Sequence, residues 1–164
     1  MSRWTLEIPG DPVARAEPKI RVFPLKNPEG GWALDKHGKP RFKVSSYPPE
    51  KQKNYMAAAR DHAQIAMIDE RGEPTRSPLV VHVEAVMPIP VSWPEYRRIE
   101  ALSGIHPHAI KPDVDNFVKM ALDICNGIVF HDDAQVVKLS SDKRYCGRDH
   151  RTYLKIEVSE WRPK

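Results

Sequence analysis

The chain has 164 residues, a length that suits one domain with a substantial buried core, and we expect a single domain over residues 1–164. Its 26 lysines and arginines exceed its 22 acids, and the net charge of +4 with a pI near 9.1 favours a polyanionic partner. No stretch reaches the run of about 18 apolar residues that spans a membrane, and no apolar signal segment follows the start. The two cysteines form no disulfide framework. We therefore expect a cytoplasmic protein.

A short strand and a long basic loop open the chain. Trp4, Leu6 and Ile8 alternate with polar residues, which predicts a strand with one buried face. The proline-rich loop that follows, about residues 9–49, carries eight cations: Arg15, Lys19, Arg21, Lys26, Lys36, Lys39, Arg41 and Lys43. It is a solvated surface arm, a hairpin built around residues 36–39, or a cationic loop that follows a phosphate backbone.

A helix and a strand come next. The segment YPPEKQKNYMAAARDHAQIAMIDERGEP places apolar residues at helical spacing, with Gly72 and Pro74 as stops. PLVVHVEAVMP then alternates as a strand does. Its predicted buried face comprises Leu79, Val81, Val83, Ala85 and Met87. The opposite face is mixed, and we expect it to be partly open or covered by a partner chain.

A second helix is predicted over SWPEYRRIEALSG. Ser92 and Glu95 have the spacing of a capping box, and Gly104 is a helix stop. Arg97 and Arg98 lie on this helix, either as solvated charges or as phosphate contacts.

The third helix is predicted between Asp113 and Cys125, with apolar residues recurring on one face and Asn126 and Gly127 at its end. We expect Ile128–Phe130 to form a short strand, residues 131–133 a turn, and residues 135–139 the returning strand of a hairpin. RTYLKIEVSEW alternates as a last strand. The mixture of elements, without regular βαβ alternation, predicts an α+β fold: helices packed on a mixed β-sheet, with a β-hairpin carrying part of an acidic site.

Four aspartates fall in two pairs around the third helix. Asp113 and Asp115 lie at its start, where carboxylates bind free N–H groups and complement the helix dipole, and Asp132 and Asp133 lie in the turn. Three strand residues span only about 10 Å, so the hairpin would bring the second pair back beside the first. Converging carboxylates repel one another unless a cation lies between them, and hard oxygen ligands suit Mg²⁺ or Mn²⁺.

Lys119 follows Asp115 by one helical turn and shares its face. The two form either a surface ion pair or, beside a metal ion, a site in which the ammonium group stabilises charge on a phosphoryl group. A basic chain with one acidic pocket is the arrangement expected of a metal-dependent nuclease, in which cations hold the DNA backbone and acids hold the metal.

The stretch KPDVDNFVKMALDICNGIVFHDDAQVV resembles the signature of the RusA family of Holliday-junction resolvases (crossover junction endodeoxyribonucleases), roughly KPDxDNxxKxxxDxLxGxxxxDDxQV. IPGDPVARAEPKIRV and PLVVHVEAVMPIPVSWPEYRR also resemble family segments, so the resemblance covers most of the chain. Two positions depart from the pattern. Cys125 stands where leucine is common, and VARAEPKIRV replaces the more usual lysine-glycine-arginine-proline-arginine run.

The resemblance implies that Asp113, Asp115 and Asp133 bind Mg²⁺, for which Mn²⁺ substitutes, and that Lys119 is the catalytic lysine. Asp132 is a secondary ligand or an orienting group. The resemblance also implies a homodimer, of bacterial or phage origin, that binds branched DNA and resolves four-way junctions by paired cuts. No membrane and no organic cofactor are expected to take part.

Candidate DNA contacts are the cations of the loop, of the second helix and of the matched segments: Arg15, Lys19, Arg21, Arg97, Arg98, Lys111, Lys143 and Arg144. Gln135 is expected to hold the hairpin, and Asp123 to be structural. His106 and His108 are either contacts to DNA or metal or, as we expect of histidines in a loop, solvated side chains.

Two other functions fit parts of the pattern. One is a non-catalytic or differently specific protein that binds branched DNA, and the intact set of Asp113, Asp115, Lys119 and Asp133 argues against it. The other is an α+β scaffold whose acids serve only as caps and turn residues. Thermal stabilisation by Mg²⁺ or Mn²⁺ would exclude the scaffold, because a ligand that binds only the folded state must stabilise it.

Overall fold

The computed structural model describes residues 3–70 and 73–163, and Gly72, predicted as a helix stop, lies outside them. The described residues form, in chain order, β1 (Arg3–Pro9), β2 (Lys19–Pro24), β3 (Phe42–Tyr47), α1 (Glu50–Glu70), β4 (Leu79–Met87), α2 (Glu95–Leu102), α3 (Val114–Cys125), a 3-10 turn (Asp133–Gln135), β5 (Val136–Tyr145) and β6 (Tyr153–Glu160). These elements confirm the predicted α+β fold class. None of the helices in the described ranges is long and apolar enough to cross a membrane.

Four strands form the main sheet in the order β1-β6-β4-β5. β6 is antiparallel to both of its neighbours, whereas β4 and β5 run parallel. The predicted inward face of β4 is fully buried at Leu79, Val81, Val83 and Ala85. On its other face His82 and Glu84 are half-buried. The prediction of one buried and one partly open face is therefore confirmed.

α3 packs on β4 and β5, and α1 packs on α3 and β1. The buried face of α3 comprises Phe117, Val118, Met120, Ala121, Ile124 and Cys125. Arg60 of α1 donates from Nη1 to the carbonyl oxygens of Asp123 (2.7 Å) and Asn126 (3.1 Å), which satisfies carbonyl groups that the end of α3 leaves free. α3 is thus fixed along one face and at its C-terminal end, while its first turn faces solvent.

The predicted strand at Ile128–Phe130, and with it the predicted hairpin, is wrong. The N–H groups of Ile128 and Val129 both donate to the carbonyl oxygen of Cys125, at 3.0 and 2.8 Å, and Gly127 at φ 74° lets the chain turn. The strand that follows, β5, pairs in parallel with β4 instead. Parallel neighbours need a long crossover connection, and the segment containing α2 and α3 supplies it.

The capping box predicted at Ser92 and Glu95 is also wrong. α2 begins at Glu95 with Pro94 at the N-cap, and no side chain caps it. A proline biases the residue before it towards an extended conformation, so the helix starts only after Pro94 and Ser92 lies too far upstream. Gly104, at φ 74°, follows the end of α2 as predicted.

Residues 19–47, here named the arm, form a hairpin within the basic loop. β2 and β3 are antiparallel and make a separate two-stranded sheet. Turns at residues 27–31 and 35–39 fold the tip, and the second turn lies where the hairpin was predicted. None of residues 19–47 is buried. The arm therefore stands outside the core, and this exposure is compatible with both a solvated arm and a cationic loop that follows a phosphate backbone.

Candidate active site and DNA-binding groove

Asp113 is the N-cap of α3 and Asp115 lies in its first turn, as predicted. The Asp113 backbone is extended, with φ −73° and ψ 149°, but its side chain makes no capping hydrogen bond. The helix therefore gains no capping hydrogen bond from this carboxylate, and side-chain capping does not explain why an acid stands here. An acid at this end of the helix still complements the dipole.

Asp115 and Lys119 form an ion pair, with Lys119 Nζ 2.9 Å from Asp115 Oδ2. The two side chains are 60% and 54% exposed, so solvent screens the pair and it contributes little to stability. The hydrogen bond from Lys119 lowers the pKa of Asp115 below its ordinary value. Asp115 is therefore ionised at neutral pH, the form in which a carboxylate binds a metal.

Lys143 of β5 holds the segment that enters α3. Its Nζ donates to the carbonyl oxygens of Ile110 at 2.5 Å and Pro112 at 2.6 Å. Pro112 directly precedes Asp113, so this lysine fixes the backbone from which the Asp113 side chain projects. The sequence placed Lys143 among the DNA contacts, whereas the structure places its ammonium group on the protein backbone.

The second acidic pair divides into a capping residue and an exposed one. Asp132 Oδ1 accepts a hydrogen bond from the N–H of Ala134 at 2.8 Å, and Gln135 Oε1 accepts one from the N–H of Asp132 at 2.9 Å. This capping box supports the 3-10 turn. Asp133 lies in the first turn with an exposed side chain. The geometry thus gives Asp132 an orienting role and leaves Asp133 pointing to solvent.

Gln135 also ties this turn to the chain that leads into β4. Its Nε2 donates to the carbonyl oxygens of Thr75 at 3.0 Å and Ser77 at 2.9 Å. Gln135 therefore holds the acidic turn as predicted, although the element it holds is a capped turn and not a hairpin.

Among residues 3–70 and 73–163, no group of three or more histidine, cysteine, aspartate or glutamate side chains is arranged to hold a metal ion. The structure thus does not bring Asp113, Asp115 and Asp133 together as a three-carboxylate group, and their role as ligands stays a prediction. Mg²⁺ usually takes only one or two carboxylates, with water and substrate phosphate as its other ligands. Asp113 and Asp115 lie two positions apart at the exposed start of α3, and two carboxylates are enough for a metal site that the substrate completes.

A groove of about 370 Å³ opens beside Asp113. Its walls come from residues 12–16, the first turn of α1 and the start of α3, and they carry the cations Arg15, Lys51 and Lys111 together with Asn116. A backbone hydrogen bond of 2.9 Å from the Arg15 N–H to the Asn116 carbonyl oxygen joins two of these walls. Lys51 was not predicted, because nothing in the sequence distinguishes it from other lysines at a helix start.

Some candidate DNA contacts are accessible. Lys19 and Arg21 are exposed on the arm, and Arg98 is exposed on α2. Arg15 lines the groove but also binds Asp123, with its Nη1 2.5 Å from Oδ2. That ion pair gives Asp123 the structural role expected of it.

Two other candidate DNA contacts interact with side chains of the protein. The Arg97 guanidinium lies 3.8 Å from the ring centroid of Trp93, a cation–π contact, and it is half-buried. Arg144 Nε lies 2.7 Å from Glu84 Oε1. Arg97 is therefore not an ordinary solvated charge, whereas Arg144 is an exposed residue in a surface ion pair.

His108 is buried, so the prediction of a solvated side chain is wrong for this residue. It is 6% exposed, its ring centroid lies 4.6 Å from that of Tyr145, and its Nδ1 has no hydrogen-bond partner among the described residues. Burial lowers the pKa of His108, and the charge of Lys143 lowers it further. His106 is half-buried, with Nε2 3.3 Å from Arg97 Nη2.

Comparison with known proteins gives two findings. A family described as endodeoxyribonuclease RusA matches residues 9–157. Over 84 residues the chain is 34% identical to YqaN, an uncharacterized protein of Bacillus subtilis strain 168, and the match covers 50% of this chain and 59% of YqaN. The chain thus spans about three-fifths of the length of this curated relative. Because the family match extends over nearly the whole sequence, the chain belongs to the RusA family of endodeoxyribonucleases.

Proposed function

We propose that the chain is a Mg²⁺-dependent endodeoxyribonuclease that resolves four-way DNA junctions by paired, symmetric hydrolysis of two phosphodiester bonds. Family membership supports an endodeoxyribonuclease. The choice of junctions as substrate, the metal and the roles of the residues are parts of this proposal, and Mn²⁺ is expected to replace Mg²⁺.

One observation carries the proposal: an aspartate that makes no capping hydrogen bond to its helix lies in the same groove as three cations. Asp113 lines the groove with Arg15, Lys51 and Lys111. Cations along a groove bind successive phosphates of a nucleic-acid strand. A strand held in this way would pass beside Asp113, where a hydrolytic site is needed.

The residues of the first helical turn have the chemistry for hydrolysis of a phosphodiester. Asp113 and Asp115 would hold Mg²⁺, with Asp133 as a third ligand once substrate is bound. Bound Mg²⁺ supplies a nucleophilic water and screens the charge of the phosphate. Lys119 is held 2.9 Å from Asp115, and its ammonium group would stabilise the added negative charge of the transition state.

Resolution of a junction needs two cuts on strands related by a two-fold axis. A C₂ homodimer supplies two equivalent sites in that relation. His82 and Glu84, on the outer face of β4, are only half-buried in the described chain, so this face offers surface for a second copy. The homodimer belongs to the proposal for this reason.

A labelled four-way junction and a duplex of matched sequence, incubated with Mg²⁺, Mn²⁺ or EDTA, test the proposal. We expect paired cuts at symmetric positions in the junction with either metal, no cuts with EDTA and an intact duplex. Asp113→Asn and Lys119→Ala should each abolish cleavage.

Two exposed residues away from the site provide matched controls. Asp61→Asn, on α1, and Lys138→Ala, on β5, remove the same chemical groups from exposed positions and should cut as wild type does. A junction that stays intact in both metals, or site variants that cut as fast as the controls, would refute the nuclease.

A protein that binds branched DNA without cutting it is the second candidate. The cations of the groove favour it, because they can bind phosphates without a metal ion. Tight binding to the junction in EDTA together with no cleavage in Mg²⁺ or Mn²⁺ would select this candidate.

A further inference from the structure

The arm has two chemically different faces. In the register of β2 and β3, Val22 lies opposite Val44 and Phe23 lies opposite Lys43. Side chains alternate between the faces of a ribbon, and cross-strand partners share a face. One face is therefore apolar: Ile20, Val22, Phe42 and Val44. The other is cationic and aromatic: Lys19, Arg21, Phe23, Lys43 and Tyr47.

The apolar face is open to solvent. Exposed fractions are 68% for Ile20, 58% for Val22, 57% for Phe42 and 65% for Val44. Among the described elements, β2 and β3 make extensive contact only with each other. A contiguous exposed apolar surface of this kind marks a binding site, and a lone two-stranded ribbon is marginal in water without a partner.

Charge identifies the class of partner. Residues 15–43 contain eight lysines and arginines and three acids, a net charge of +5, whereas the rest of the chain has 18 cations and 19 acids, a net charge of −1. The arm and the segment leading into it thus carry the whole positive excess of the protein. The complementary partner is a polyanion, and a second copy of this chain would bring the same positive charge to the contact.

The arm also starts where a DNA strand would leave the acidic site. Residues 12–16 line the groove that contains Asp113, and β2 begins three residues later, at Lys19. The N–H of Ala16 donates to Gln52 Oε1 at 2.8 Å, which fixes the base of the arm to α1. DNA held in the groove therefore continues directly onto the arm.

We propose that the arm is a wedge for the branch point of DNA, an inference that rests on the proposed function for its substrate. The cationic face binds the phosphates of one duplex arm. The apolar face, with Val22 and Val44 at its centre, contacts bases that are unstacked where the strands cross. Apolar side chains inserted beside a base step partly unstack it, and the cost is least where pairing is already interrupted. The arm thus favours a junction over a continuous duplex.

Binding measured in EDTA tests the wedge separately from cleavage. The probes are a four-way junction with 2-aminopurine at the branch point and a duplex of matched sequence, followed by fluorescence anisotropy and base fluorescence. The variant Ile20→Ser/Val22→Ser/Phe42→Ser/Val44→Ser removes the apolar face without changing charge. Its matched control is Ile65→Ser/Ile68→Ser on α1, since these isoleucines are 63% and 74% exposed.

For the wild type we expect tighter binding to the junction and a rise in 2-aminopurine fluorescence on binding. In the apolar-face variant the ratio of junction affinity to duplex affinity should fall about tenfold. Most of the rise in 2-aminopurine fluorescence should disappear, while the affinity for duplex stays within about twofold of the wild-type value. Its melting temperature should be unchanged, because no residue of the arm is buried. Lys19→Gln/Arg21→Gln/Lys43→Gln should weaken binding to both probes and lower the salt dependence.

A junction-over-duplex ratio that survives in the apolar-face variant overturns the wedge. If light scattering shows that the apolar-face variant is monomeric and its junction-over-duplex ratio is retained, the wedge is overturned. The apolar face is then a surface for a second copy of the chain. If the wild type does not cut the junction in Mg²⁺, the proposed nuclease activity is refuted. The binding measured in EDTA still decides whether the arm acts as a wedge. If the wild type cuts the junction and the apolar-face variant keeps its junction-over-duplex ratio, only the wedge is refuted.

Discussion

The ammonium group of Lys143 lies 2.6 Å from the carbonyl oxygen of Pro112, the residue immediately before the N-cap aspartate of α3. A strand at the edge of the sheet thereby fixes the entry to the acidic helix. Since the same group also binds the Ile110 carbonyl oxygen, one lysine restrains three consecutive peptide units in front of Asp113.

Replacement of Lys143 should therefore disturb the site through its backbone. We expect Lys143→Met to lower the free energy of unfolding by about 1.5–3 kcal/mol, the range for hydrogen bonds to a charged group, and to reduce cleavage further than this loss explains. Lys138→Met, an exposed lysine on the same strand, is the control and should change neither quantity. Urea unfolding and junction cleavage measure the two effects, and equal behaviour of the two variants would contradict the restraint.

The two neighbouring aspartates of the 3-10 turn should separate stability from activity. Asp132→Ala removes the acceptor for the Ala134 N–H and should cost about 1 kcal/mol of stability, as lost helix caps do. Asp133→Ala should leave the urea midpoint unchanged and abolish cleavage. If Asp132→Ala is as stable as wild type, the capping role of Asp132 is contradicted. If Asp133→Ala still cuts, the catalytic role of Asp133 is contradicted.

The Asp115–Lys119 pair should matter for chemistry and not for folding. Both side chains are more than half exposed, so Lys119→Ala should leave the urea midpoint unchanged while it removes cleavage. Lys119→Arg keeps the charge and should recover only a small part of the rate, because a planar guanidinium cannot occupy the position of a compact ammonium group. A large fall in stability for Lys119→Ala would show that the pair is structural.

Stability should fall on the acid side because of His108. Burial holds its pKa in the folded state below the ordinary value of 6.5, so the unfolded chain takes up the proton first. The stability that this residue contributes is present above pH 6.5 and is lost as the pH falls towards its folded-state pKa.

His108→Phe keeps an aromatic ring against Tyr145 and cannot take up a proton. The variant should show a shallower loss of unfolding free energy between about pH 7 and about pH 5 in urea titrations. His62→Phe, at an exposed position on α1, should retain the wild-type slope. If the unfolding free energy of His108→Phe falls with pH as steeply as that of wild type, groups other than His108 cause the loss of stability in acid.

Patterns that depend on burial of one face were sufficient to predict much of the fold. The alternation from Leu79 to Met87 and the apolar face of α3 were recognised because β4 and α3 each bury one side against the same core. Ile128–Phe130 was misassigned because a short apolar run fits a strand and a buried turn equally well. The hydrogen bonds to the Cys125 carbonyl oxygen, which decide between them, leave no mark on the sequence.

The acids of the site were found from local spacing, but the residues that hold them were not. Lys143 is separated from Pro112 by 31 positions, so their contact follows from the pairing of β5 with β4 and not from any local pattern. Lys51 reaches the groove only because α1 lies against residues 12–16. Long-range packing therefore places both lysines, and local sequence patterns could not show the backbone contacts of Lys143 or the position of Lys51 in the groove.

The separation of the arm from the core has a consequence for how its length can vary. Longer surface loops cost little closure entropy, so the core tolerates changes there. An insertion of two residues into each strand of the ribbon keeps every side chain on its face, whereas a shift of one residue exchanges the apolar and cationic faces. The reach of the arm can thus be adjusted in steps of about 7 Å without altering the core of the protein.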